Sequence, residues 1–172
     1  MRPLTAHPTD LDRVLGSLAA PLVIVEYGDY DCPHTRRAHA ILKELLAEAP
    51  GERALVFRPF PLRHIHRNAQ QLSVWLQAIE SPTLFWEAHE RLMALRHMSL
   101  EAAQRELADL GIDTTTLELR RATAEVAVQS DYERGASDGV HSTPSFFFNG
   151  APHDGKYDID SLRAQIAAAP QR

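Results

Sequence analysis

Between Pro21 and Gly28 the chain runs Leu22-Val23-Ile24-Val25-Glu26-Tyr27, apolar and mostly β-branched. That run predicts a strand buried on both faces, because a half-exposed strand would alternate apolar and polar residues. From Pro33 onward the apolar positions Ala38, Ile41, Leu42, Leu45, Leu46 and Ala49 recur at helical spacing until Pro50-Gly51 stops them. Pro33 suits the first helical turn, where its missing N–H costs nothing. Arg53 to Phe60 predicts a second strand, ended by Pro61. A strand, a helix and a strand in this order imply a parallel pair with a right-handed crossover.

The flanks are less regular. Residues 1–20 form a lead-in with a short helical or turn element around Asp10 to Leu18. Residues 66 to 138 carry helical spacing throughout. Leu72, Trp75, Leu76 and Ile79 make one stripe, and Ser81-Pro82 restarts a helix through Leu84, Phe85, Ala88, Leu92 and Leu95. Ser99 caps a third helix ending at Gly111, and Thr114-Thr115-Thr116 leads into a fourth that runs through Leu117 and Val126 toward Gly135. After Gly139 the strand pattern returns in Ser145-Phe146-Phe147-Phe148. An Asn149-Gly150 hairpin turn and a return strand toward Tyr157 follow. Asp160 caps a last helix, Ser161 to Ala169. The fold class is therefore α/β, a central sheet flanked by helices and carrying a helical insertion. We expect one domain over 1–172, with the sheet-forming parts at about 20–62 and 139–172 and the insertion at about 63–138.

Composition narrows the partners. The 172 residues are 44% hydrophobic and 24% charged, with a net charge of −5, which gives no reason to expect nucleic acid or an anionic membrane. No apolar run approaches the roughly 20 residues needed to span a bilayer. Met1 to Asp12 lacks the apolar segment of a secretory signal, and one cysteine does not make a secreted disulfide framework. The expected location is cytoplasmic. His64 and His66 alternate, while His34 and His39 are five apart. Neither spacing fits a helical ligand pair or a Cys/His zinc pattern, so no metal is expected.

The single cysteine, Cys32, falls where strand turns into helix, in Asp29-Tyr30-Asp31-Cys32-Pro33-His34-Thr35. Unpaired amides and partial positive charge at a helix start favour a thiolate, as does a protonated His34; Asp29 and Asp31 oppose it if near. We expect the helix to prevail and the sulfur to be accessible. With no second cysteine, redox chemistry at Cys32 has to involve another molecule. Glu26 stands out for a different reason. A carboxyl inside a buried strand needs a partner or a shifted titration.

Cys32-Pro33-His34-Thr35 with Glu26, Phe60-Pro61-Leu62, Leu84-Phe85-Trp86-Glu87-Ala88-His89-Glu90 and Ser142-Thr143-Pro144 resembles the DsbA-like branch of the thioredoxin fold over nearly the whole chain. The family motif is Cys-Pro-X-Cys; here Thr35 takes the last place, so dithiol oxidase activity does not carry over. The resemblance implies that Cys32 is the nucleophile and that His34 donates toward its sulfur. It also implies a cis bond before Pro144, with Pro33, Thr143 and Pro144 contacting an extended substrate. Glu26 matches the acid that such enzymes keep beneath the site, and otherwise reads as a remnant or an edge-exposed glutamate. A Thr35 hydroxyl can donate to sulfur but cannot resolve a mixed disulfide.

The expected function is monothiol thiol–disulfide exchange, reducing or deglutathionylating. Its partners are thiol- or disulfide-containing protein or peptide segments. There is no bound cofactor, and glutathione or another low-molecular-weight thiol serves as co-substrate. Two alternatives remain: a non-catalytic binding module of the same fold, and a glutathione-dependent transferase or isomerase.

Overall fold

The computed structural model describes residues 1–170. Its strands are β1 (Arg13–Leu15), β2 (Leu22–Gly28), β3 (Arg53–Pro59), β4 (Ser145–Phe148) and β5 (Ala151–His153). They form one five-stranded mixed sheet in the order β1-β3-β2-β4-β5. The helix α1 (Pro33–Ala47) joins β2 to β3, which pair in parallel as the sequence implied. Helices α2 (Ala69–Gln77), α3 (Pro82–Ala94), α4 (Leu100–Asp109), α5 (Thr114–Glu118) and α6 (Arg121–Ser137) lie between β3 and β4, and α7 (Ile159–Ala168) follows β5. The expected boundary at residue 172 extends two residues beyond those described.

β2 is the central strand, parallel to β3 and antiparallel to β4, and all of it is buried. Its side chains divide between two cores. Ile24 packs with Leu55, Phe57, Phe146 and Phe148 against α1. Val23, Val25 and Tyr27 pack with Val56, Phe60 and Phe147 on the other face. Each fully buried side chain of this kind contributes about 1.5–3 kcal/mol, so the strand is fixed in register by both cores. The hairpin after β4 turns on Asn149 (φ 48°) and Gly150 (φ 84°), the doubly left-handed pair that a two-residue turn requires.

Three local expectations change. Arg13–Leu15 is a strand, paired antiparallel with Leu55 to Phe57, where a helix or turn was expected. Leu11, Val14, Leu15 and Leu18 mimic a helical stripe, but Leu11 is 96% exposed, and pairing with the edge of β3 overrides local spacing. The fourth expected helix is two, α5 and α6, broken around Leu119 and Arg120, with Asp113 accepting from Thr115 N as the cap of α5. At α7 the cap is Asp158, accepting from Ser161 N, and Asp160 lies in the first turn.

Candidate active site

Gly28 ends β2 where nothing larger fits. A Cβ there would lie 2.4 Å from the Phe57 ring and 2.9 Å from Thr35 Cγ2. The chain turns at once, Cys32 N donating to Asp29 O at 3.1 Å, and Cys32 becomes the extended N-cap of α1 with Pro33 following. Cys32 makes no side-chain cap bond. Its Sγ instead donates to Thr143 O at 3.4 Å, across 111 residues of sequence. The Thr143–Pro144 bond is cis. Thr143 is itself buried, and Ser145 Oγ donates to Ser142 O at 2.8 Å within the same loop. The helix start and the Thr-Pro turn are thus brought together.

Access is the first correction. Cys32 is only 3% exposed, because the sulfur lies under Thr143 rather than open at the helix mouth. Its bond to a carbonyl belongs to the protonated thiol and is lost on ionisation, since a thiolate has no proton to donate. Attack on a substrate therefore requires the sulfur to leave Thr143 O.

The neighbours of Cys32 differ from expectation too. His34 is exposed, and its Nδ1 bonds the Tyr157 hydroxyl, not the sulfur. Thr35 is fully buried, and its Oγ1 accepts from Asp29 N at 3.3 Å, not donating to sulfur. Pro33 is exposed beside them. Tyr157 gave no sequence signal beyond ending the hairpin segment. Asp29 was considered only as an opposing charge, yet it organises the site. Its carboxylate accepts from Asp31 N (2.9 Å) and Leu62 N (2.9 Å) and bonds His66 Nδ1 (2.9 Å).

Glu26 is not at an edge. It lies on the central strand between Phe57 of β3 and Phe146 of β4, fully buried. Neither carboxyl oxygen has a hydrogen-bond partner among the described residues. Burial pushes its carboxyl up to about 7, against the opposing influence of His39. His39 belongs to a buried chain that sequence reasoning missed. Tyr30 OH bonds His89 Nδ1 at 2.9 Å, His89 Nε2 bonds His39 Nδ1 at 3.4 Å, and His39 Nε2 bonds Glu90 at 2.9 Å. Burial would raise the Glu90 carboxyl, but hydrogen bonds from His39 and Lys43 pull it down to about 2. Burial, with His39 beside it, holds His89 well below the usual histidine range. An ionised Glu90 only accepts, so His39 Nε2 donates outward. While His39 is neutral, its Nδ1 accepts from His89 Nε2 and Tyr30 donates to His89.

Beside Pro144 lies a cleft of about 280 Å³ lined by His141, Ser142, His153, Asp154 and Tyr157 among others. A larger one of about 910 Å³, near Arg13, Gln77 and Trp86, shares no residue with the Cys32 site. Among the described residues no cluster of three or more His, Cys, Asp or Glu side chains is arranged to hold a metal ion. No helix is long and apolar enough to cross a membrane.

Comparisons with known proteins agree with this geometry. A family model described as "Thioredoxin" matches residues 9–168. A Salinispora arenicola protein named Na(+)/H(+) antiporter NhaA 1 is 34% identical over 93% of this chain, but only 25% of its own length is matched. The chain spans about a quarter of the length of the curated relatives it matches. Oxidised BdbD from Bacillus subtilis superposes with a TM-score of 0.81 at 19% identity, covering 98% of each chain. The thiol-disulfide exchange protein alpha-DsbA2 from Wolbachia pipientis gives 0.77 at 17% identity, over 91% of this chain and 86% of its own. At those identities the two structures speak to fold alone. With a five-stranded mixed sheet, a cysteine at the head of α1 and a family match over most of its length, the chain belongs to the thioredoxin family, with the fold of its DsbA-like branch.

Proposed function

We propose that this protein carries out thiol–disulfide exchange through one cysteine, as a reductase or deglutathionylating protein. The supporting observation is the placement of Cys32 Sγ at the head of α1 against Thr143 O, with Thr35 where the family motif holds a second cysteine. The Cys32 thiolate attacks a disulfide, or a glutathionylated cysteine, in a protein or peptide segment lying along Thr143–Pro144. A mixed disulfide forms and the substrate sulfur leaves as a thiolate. Thr35 has no sulfur and its hydroxyl is bonded to Asp29 N. An external thiol, glutathione or another low-molecular-weight thiol, therefore attacks the mixed disulfide, frees Cys32 and is itself oxidised. Within a reducing compartment such as the cytoplasm the net direction is reduction of the substrate.

Turnover of a glutathionylated peptide in the presence of glutathione tests this directly. The native chain is expected to turn it over and Cys32→Ser to lose at least about a hundredfold; equal rates for the two would refute it. Thr35→Cys should form an internal disulfide with Cys32 and gain insulin-reducing activity, while losing the bond to Asp29 N at about 1 kcal/mol. A non-catalytic binding module is favoured by one observation, the 3% exposure of Cys32. On that reading Cys32→Ser keeps partner binding and effect intact.

A further inference from the structure

The chain carries a net charge of −5, yet one rim of the Cys32 site is basic. The loop leaving β3 is pinned to the segment before Cys32 at both ends. Leu62 N and His66 Nδ1 each lie 2.9 Å from Asp29 Oδ2, and Asn68 N donates to Asp31 Oδ2 at 3.0 Å. Between these anchors Arg63, His64, Ile65 and Arg67 are exposed. Arg36 and Arg37 follow where the first turn of α1 passes into the second, with Arg36 donating to Tyr30 O at 3.0 Å. Arg36, Arg37 and Arg67 thus adjoin, through α1 and the Asn68 anchor, a segment bearing two aspartates that already accept hydrogen bonds from the loop. The Arg63 guanidinium is turned toward Gln70, Gln129 and the Tyr132 ring. Arg63 binds the neutral Gln70 and Gln129, and Glu125 and Glu133 line its outer side. Arg37 and Arg67 make no ion pair among the described residues. Across the site the other rim is mixed in charge: exposed Asp154 pairs with the Met1 amino group at 3.5 Å, and exposed Lys156 lies between it and exposed Asp158.

We propose that this rim recognises an acidic polypeptide segment, and so selects which disulfides reach Cys32. The inference rests on the exchange reading above. A strand advances about 3.3 Å per residue, so a peptide lying along Thr143–Pro144 with its cysteine at Cys32 carries nearby flanking residues toward the rim. Glutamates or aspartates in that flank meet unpaired guanidinium groups, and exposed Ile65 (63%) offers an apolar contact in the same loop. The opposite rim, with Asp154 paired to Met1 and Lys156 beside Asp158, offers no such excess of positive charge, so an acidic flank is favoured on one side. Charge of this kind acts mainly on encounter rate and partner choice.

Peptides of identical length, each with one cysteine activated as the neutral 2-pyridyl disulfide, test the proposal. Cys32 attacks the peptide sulfur and pyridine-2-thione leaves, which is read by absorbance. Glutamates, serines or lysines flank the cysteine on one side or the other. The acidic peptide on one flank is expected to react about tenfold faster than the lysine peptide at low salt, with the ratio collapsing at high salt. In Arg67→Glu the ratio should fall to about one or invert; Arg67→Gln, a milder change, should reduce it. Equal rates for all peptides, with brisk reaction of 2,2′-dithiodipyridine, would overturn the rim and leave the exchange reading standing. Failure of the native chain to react even with 2,2′-dithiodipyridine would overturn that reading, and the rim with it. A charge effect confined to glutathione disulfide would assign the rim to the resolving thiol, against the proposal.

Discussion

Two of the buried side chains that are charged in water, Arg58 and Glu26, lie on opposite faces of the sheet, and their surroundings treat them in opposite ways. Arg58 of β3 points to the core that holds Tyr27, and every side of its guanidinium is used. It donates to both oxygens of Asp12 at 2.8 and 3.3 Å, to Ala6 O at 3.0 Å and to Tyr27 OH at 3.0 Å. Burial alone would weaken that cation, but the Asp12 bond holds it firmly protonated. Glu26, one strand away on the α1 side, has no hydrogen bond among the described residues. A buried ion with all its partners is part of the architecture, while a buried acid with none can change its charge near neutrality. The contrast separates the half of the molecule that anchors the N-terminal segment from the half that holds the thiol.

The largest effect expected from this contrast lies on the Arg58 side. Asp12→Ala leaves a guanidinium uncompensated in a dry core, at about 3–5 kcal/mol in urea unfolding. Replacing both partners, Asp12→Ala with Arg58→Met, should recover part of the loss, because the stranded charge goes with its partner. If Asp12→Ala costs under about 1 kcal/mol, then Arg58 finds water, and the two faces are not opposites.

Glu26 comes next, and its sign is fixed by linkage. The unfolded carboxyl titrates near 4.5 and the folded one near 7, so between those values the folded chain holds a proton that the unfolded chain has released. Stability therefore falls as pH rises through this window, by roughly 3 kcal/mol in all at 1.36 kcal/mol per unit. Glu26→Leu, similar in volume, should remove the Glu26 share of the slope and leave the share of Asp131, whose carboxyl burial also pushes up to about 7. It is expected to stabilise by that order at pH 8 and to change little at pH 5, where the native carboxyl is neutral. An equal gain at both pH values would mean that packing, not ionisation, sets the difference.

How much of this was legible in the sequence follows from the range of each interaction. Glu26 was conspicuous because one acid interrupted an apolar strand, and Cys32 because proline and a helical pattern followed it. The strands β2, β3 and β4 were legible for the same reason, since burial on both faces leaves continuous apolar runs. Arg58 was invisible, because its partner Asp12 lies 46 residues earlier in a lead-in whose spacing suggested a helix. The partners of His34 and Thr35 were likewise set by tertiary placement. Tyr157 is 123 residues from His34, and Asp29 N reaches Thr35 only because β2 turns so sharply at Gly28. That Cys32 would be covered could not be read locally either, since its cover, Thr143, comes from the far end of the chain.

The smallest predicted effect asks what tunes the unpaired acid. Burial raises Glu26 and the positive charge of a protonated His39 opposes that rise, so removing the imidazole should move the carboxyl higher. His39→Gln is the appropriate change, because its amide N–H can still donate to Glu90 and its carbonyl can still accept from His89 Nε2. The buried chain from Tyr30 to Glu90 would then keep its direction, and unfolding free energy at pH 5 should move by about 1 kcal/mol or less. The titration of Glu26, followed by carboxyl infrared absorption with Glu26→Gln as the blank, is expected to shift upward by under about one unit. An unchanged midpoint would mean that burial between Phe57 and Phe146 sets the acid alone and the histidine chain only joins α1 to α3. A downward shift would be incompatible with any favourable influence of His39. It would require the introduced amide to supply the carboxylate with a hydrogen bond that the native structure withholds.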